Sequence, residues 1–125
     1  MYSHYNPNPH GKRVGDCVVR ALSKATGKSW EETYIELCLL GYIVGDLPSS
    51  NKVWDTYLKS QGFTRHIVSA ECLDCYTIQD FCNEYPQGVF VIGTGSHAVC
   101  VVDGSIFDTW DSSDETPIYF YRKEE

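Results

Sequence analysis

His97-Ala-Val-Cys-Val-Val-Asp-Gly-Ser-Ile-Phe-Asp-Thr-Trp110 is the stretch on which the reading of this chain turns. Asp103-Gly104 sits between two runs rich in β-branched and aromatic residues. Asp-Gly closes two-residue hairpins because both turn positions need a positive φ. Centring the turn there sets the register: Val102 faces Ser105, Val99 faces Asp108, and His97 faces Trp110. Side chains alternate along a strand, so His97, Val99 and Val101 share a face with Ile106, Asp108 and Trp110. Asp108 is then diagonal to His97, within reach of its imidazole. Asp111 points to the other face. The hairpin thus selects Asp108 from the late acids Asp103, Asp108, Asp111, Asp114 and Glu115.

A histidine backed by a carboxylate is the arrangement of a general base: the acid fixes the tautomer and stabilises the imidazolium, and the second ring nitrogen faces a nucleophile. Cys17 is the candidate nucleophile. A helix reads from Asp16, an N-cap residue, through Val18, Ala21, Leu22 and Ala25 to a stop at Gly27. At its first turn, unpaired N–H groups and the helix dipole favour a thiolate, the reactive form of cysteine. Alone, Cys17 would be a small core hydrophobe and His97 a satisfied histidine at a strand end. Together with Asp108 they make a catalytic constellation. His4 and His10 lie in the opening arm, and His66 has no acid partner in view.

The remaining elements follow outward from these. Residues 1–15, with Asn6-Pro7-Asn8-Pro9, read as an extended arm, since a residue before proline is pushed out of helical geometry. Ser29 and Glu32 form a capping box for a second helix whose stripe is Trp30, Tyr34, Leu37 and Cys38, ending at Gly41. A third helix starts near Asn51, with Val53, Trp54, Tyr57 and Leu58 facing inward and Gly62 as its cap. A short strand covers 63–68. Thr77 and Asp80 cap a short helix that ends before Pro86. Strands are expected at 89–92, 97–102, 105–110 and 118–121. Helices come first and an antiparallel sheet afterwards, an α+β layout in one domain over 1–125.

Composition narrows the function. The 125 residues are 42% hydrophobic and 22% charged, an ordinary globular balance, and 17 acidic against 10 basic residues give a net charge of −7. That sign is wrong for a nucleic-acid backbone or an anionic membrane as partner. The opening residues carry no cationic and apolar leader, and no run approaches the about 18 apolar residues of a membrane span. The expectation is a cytoplasmic protein, whose six cysteines are packing residues, ligands or nucleophiles before they are disulfides.

Cys72-Leu-Asp-Cys75, with Cys82 and His66, is an alternative zinc set, though a single CxxC is a poorer signal than a pair at finger spacing. A redox role for it lacks the βαβ context such motifs sit in. No cofactor is expected.

Three stretches carry a family resemblance: Val14-Gly-Asp-Cys-Val-Val-Arg-Ala-Leu22, Gly95-Ser-His-Ala-Val-Cys-Val-Val-Asp-Gly104 and Phe107-Asp-Thr-Trp-Asp111. In residues and order the chain resembles a minimal papain-like cysteine peptidase, especially small papain-like proteins of bacteria and their phages. The resemblance implies a papain-like fold, with Cys17 as nucleophile, His97 as general base and acid, and Asp108 as the orienting residue where many members use asparagine. It implies hydrolysis of a peptide or isopeptide-type amide in a peptide or protein substrate, through a thioester. The family usually sets a glutamine shortly before the cysteine to hold the oxyanion, and Gly11 stands there in this chain. Asn6 or Asn8 is the candidate amide donor in its place, beside the Cys17 N–H. Trp110 and Tyr5 are candidate groove walls. A papain-like binding module, or an acyltransferase or deamidase with the same triad, is the alternative. Oligomeric state is left open.

Overall fold

A computed structural model describes residues 1–68 and 75–124. Among them, four helices, α1 (Cys17–Thr26), α2 (Trp30–Val44), α3 (Asn51–Ser60) and α4 (Ile78–Glu84), accompany six strands. The strands are β1 (Tyr2–His4), β2 (Phe63–Ile67), β3 (Val89–Gly93), β4 (Ala98–Val102), β5 (Ser105–Asp108) and β6 (Tyr119–Lys123). They form one sheet in the order β1-β5-β4-β3-β6-β2. The class is α+β. No helix among the described residues is long and apolar enough to cross a membrane.

The hairpin turn has Asp103 at φ 49° and Gly104 at φ 79°, the paired positive angles that Asp-Gly permits. Its ladder pairs Val102 with Ser105, Val101 with Ile106 and Cys100 with Phe107, the register read from the dipeptide. The sheet itself departs from the purely antiparallel expectation. Tyr2–His4 of the arm is a strand, and it pairs in parallel with β5, Tyr2 opposite Ile106 and His4 opposite Asp108. Three residues are too few to show an alternation that a sequence pattern would register.

Alternate residues of β3 and β4 feed two cores. On one face Val91, Ala98, Cys100 and Tyr121 pack beneath Leu22, Leu37, Trp54 and Leu58 of α1, α2 and α3. On the other, Phe90, Ile92, Val99, Val101, Ile106 and Phe120 meet Ile78, Phe81 and Cys82 of α4. Burying each large apolar side chain stabilises the fold by about 1.5–3 kcal/mol. The two-sided burial makes β3 and β4 continuous apolar runs, the pattern of a strand covered on both faces.

α2 differs most from its expectation. Its buried residues are Thr33, Leu37 and Gly41, one turn apart, whereas Tyr34 is exposed and Trp30 and Cys38 only half-buried. Gly41 does not end the helix, which runs to Val44 and stops at Gly45 in the left-handed region. Gly41 is there because a Cβ would sit 2.8 Å from the Asp46 carbonyl oxygen and 3.2 Å from the Pro48 nitrogen. The glycine marks a close approach, which sequence alone does not separate from a stop signal.

Candidate active site

Cys17 is the first residue of α1, and Asp16 occupies the N-cap position with no side-chain capping bond. The Asp16 carboxylate is turned away from the helix. One oxygen accepts from the Arg20 guanidinium, and the other accepts from Trp30 Nε1 at 2.9 Å. The first-turn N–H groups of α1, which have no intrahelical acceptor, are therefore not consumed by their own cap.

His97 lies one residue before β4, and Asp108 is the last residue of β5. Strict alternation gives them the face of Val99 and Ile106, which α4 covers. Yet they meet Cys17 and Arg20 of α1, from the opposite face. They do so because both stand at strand ends, beyond the last β4–β5 ladder pair, where the pleat no longer confines side chains. The site is at the end of the sheet, not on a face.

His97 Nε2 and Asp108 Oδ2 are 2.6 Å apart. The same oxygen accepts from Ser112 Oγ at 2.9 Å, and Oδ1 accepts from Arg20 Nη2 at 3.1 Å and from the Thr109 N–H at 2.8 Å. Asp108 is 1% exposed, and four donors satisfy it as a buried carboxylate must be satisfied. Its backbone is fixed as well. The Asp108 carbonyl accepts from the Tyr5 N–H at 2.7 Å and from the Tyr2 hydroxyl at 3.2 Å, so the arm clamps the end of β5.

With the carboxylate on Nε2, the other ring nitrogen is left for Cys17. Burial alone would raise the Cys17 pKa, but hydrogen bonding with His97 and with the Ala98 backbone, and then the charges of His97 and Arg20, bring it below its ordinary value. Burial alone would lower the pKa of His97, but Asp108 and Cys17 raise it to about 9. Burial would raise that of Asp108, and the bond and charge of His97 hold it down. The three shifts agree in direction: thiolate, imidazolium, carboxylate. Such an array supplies a nucleophile, a proton donor and an orienter together.

The other expected residues divide. Trp110 borders the cleft with Cys17 and His97, its ring 5.1 Å from the imidazole at 34°. Tyr5 is not a groove wall. It packs edge-on against Phe107, with its hydroxyl 3.3 Å from Ser23 Oγ. Asn6 and Asn8 are not beside Cys17 either. Asn6 Nδ2 donates to the Lys12 carbonyl and its Oδ1 accepts from the Asn8 N–H, while Asn8 Oδ1 accepts from the His10 N–H at 2.8 Å. Both fold the arm, as asparagines before prolines do.

Three contributors escaped the sequence reading. Arg20 and Ser112 hold Asp108. Asn51 borders the cleft, with its carboxamide oxygen accepting from Trp54 Nε1 at 3.0 Å. For Arg20 the signal was its i,i+4 spacing from Asp16 on a helix.

Among the described residues no three members of the zinc set come together. Cys72 lies outside the described residues. Cys75 is disulfide-bonded, which also departs from the expectation of thiols throughout. Cys82 is buried in the α4 core, and His66 stacks on Phe120 in β6. Comparison with protein-family models, with curated proteins and with solved structures finds no match to the chain.

Proposed function

We propose that this protein is a papain-like cysteine hydrolase that cleaves a peptide or isopeptide-type amide through a thioester. The observation that carries the reading is the convergence of Cys17 with the His97–Asp108 pair, 80 or more residues further along the chain, with pKa shifts that all favour the ion pair. A titratable group shifted by burial and a specific charge partner, in a cleft, is the pattern of a functional site.

The Cys17 thiolate attacks the amide carbon, and the carbonyl pair moves onto oxygen. That oxyanion rests against the N–H groups at the start of α1, with the Asn51 carboxamide as the second donor. One such donor contributes about 10²–10³ in rate. The His97 imidazolium gives its proton to the leaving amine, and the C–N bond breaks as the thioester forms. Neutral His97 then takes a proton from water, hydroxide adds to the thioester carbon, and the thiolate leaves with the acid product. Asp108 holds the imidazole throughout. Trp110 covers one side of the ring and limits water at the pair.

The test is mass spectrometry of a degenerate peptide pool incubated with wild-type and Cys17→Ala protein. New termini that appear only with wild type support the reading. Identical spectra from both proteins contradict it.

A further inference from the structure

α2 carries apolar residues on its outer side as well as its inner one. Ile35, Leu39, Tyr42 and Ile43 are 58%, 58%, 86% and 76% exposed. Residues three and four apart are neighbours on a helix, so these four form one stripe, opposite the buried side of Thr33, Leu37 and Gly41. The four-then-three spacing of Ile35, Leu39 and Tyr42 is that of a seam which another helix covers. A helix that is apolar all round is normally a buried one. At about 200 Å² for each such side chain when fully exposed, the stripe presents about 550 Å² of apolar surface. That is near the top of the about 300–600 Å² of the largest patch on a typical monomer, and patches of that size mark interaction sites.

Area and charge identify what covers it. The core of a protein interface is about 65% apolar, so about 550 Å² of apolar surface corresponds to about 850 Å² in all. A stable complex buries about 800 Å² on each partner. The chain carries a net charge of −7, and a twofold interface sets a patch against its own copy, so a charge inside the patch would meet its like. Residues 37–45 carry none. Glu36, at the edge of that run, is turned to Lys28 and Tyr57. The stripe is therefore a place where two acidic chains can touch without opposing carboxylates. A membrane surface is a poorer occupant. The charged residues of α2 are Glu31, Glu32 and Glu36, whereas a helix lying on a membrane carries Lys and Arg on its polar face. We propose that the protein is a homodimer, joined through the Ile35, Leu39, Tyr42 and Ile43 face of α2 packed helix against helix about a twofold axis. None of these residues lines the cleft of Cys17 and His97, so the dimer stands independently of the hydrolase reading.

Sedimentation velocity of the full chain tests this over about 1–100 µM, which spans the weak end of the affinities that such an area gives. At the top of the range the protein should sediment with twice the 14.2 kDa mass of one chain. Leu39→Glu and Tyr42→Glu each bring two like charges into the interface. Each should weaken association at least tenfold and keep the far-UV spectrum of wild type, because both positions face water in the single chain. A wild-type mass of one chain at the highest concentration would overturn the dimer, and so would a dimer that both variants form as readily. A second measurement needs no variant. When wild-type protein is diluted through the transition, the backbone amide resonances that move should be those of residues 35–43. Shifts confined to another surface would overturn the face.

Discussion

Arg20 Nη2 stands 3.1 Å from Asp108 Oδ1, a buried ion pair that ties the first helix to the end of β5. Arg20 also grips Asp16, so one guanidinium spans two buried carboxylates. A buried charge left without its partner costs about 3–5 kcal/mol, a large part of a domain's about 5–15 kcal/mol of stability. Arg20→Met is expected to lower the unfolding free energy by that margin, and the urea midpoint with it. Arg20→Lys keeps the charge but not the planar fork, and should fall between the two. Urea denaturation followed by tryptophan fluorescence reads both.

Asp108→Asn keeps the shape of the side chain and removes its charge. The His97 pKa should fall from about 9 towards its ordinary 6.5, because the carboxylate is first among the groups that raise it. Turnover should fall by about 10²–10⁴. Imidazole NMR titration and peptide cleavage measure the two effects separately.

The pH dependence has a defined sign on each side. The proposed hydrolysis needs thiolate and imidazolium together. It rises with Cys17 ionisation, below the thiol's ordinary value of 9.0, and declines as His97 loses its proton near pH 9. Stability follows the same groups. The raised pKa of His97 contributes stability fully present below about pH 6.5 and lost as pH rises through about 9. The depressed pKa of Asp108 contributes stability present above its ordinary 3.8 and lost as pH falls through the folded value. The lowered pKa of Cys17 works in the opposite sense to that of His97, contributing stability present above its ordinary 9.0 and lost as pH falls through the folded value. Urea midpoints should therefore decline between pH 7 and pH 10 in Cys17→Ala and stay flatter in wild type.

Gly93 ends β3 where a Cβ would come within 2.2 Å of the Tyr119 ring, and Tyr119 borders the Cys17 cleft. Gly93→Ala should displace that ring and cost about 1–3 kcal/mol, as overpacking does. Thermal denaturation reads the loss. The same variant should slow peptide cleavage, because the displaced ring enters the cleft.

What was legible in the sequence was local. The Asp-Gly dipeptide set the β4–β5 register and, through it, singled out Asp108. The box of Thr77 and Asp80 forms in full at α4, and Ser29 caps α2 by accepting from the Glu32 N–H. What was not legible depended on distant partners. Asp16 had the composition of a cap, but Arg20 and Trp30 compete for its carboxylate. Asn6 had the chemistry of an oxyanion donor, but its Nδ2 goes to the Lys12 carbonyl, and Asn8 holds the His10 N–H through its Oδ1. β1 became a strand because β5 offered an edge, which no three-residue pattern announces. Trp30 and Tyr34 had helical spacing, but α2 turns Thr33, Leu37 and Gly41 inward. Periodicity finds a face only when the apolar residues are confined to one, and α2 carries them all round.

The claim beneath all of this is that Cys17 is a thiolate paired with the His97 imidazolium. Iodoacetamide alkylation from pH 5 to pH 10, with peptide mapping of the adduct, tests it most directly. Cys17 should be labelled ahead of the other free cysteines, since Cys100 is fully buried with its pKa pushed up to about 12 and Cys82 is buried with its pKa raised. Cys38, free and half-buried, is resolved from Cys17 by the peptide map. The Cys17 rate should already be high well below pH 8, and in His97→Ala the profile should move up to that of an ordinary thiol. A wild-type profile that rises only around pH 8.5–9 and is unchanged by His97→Ala would contradict the pair.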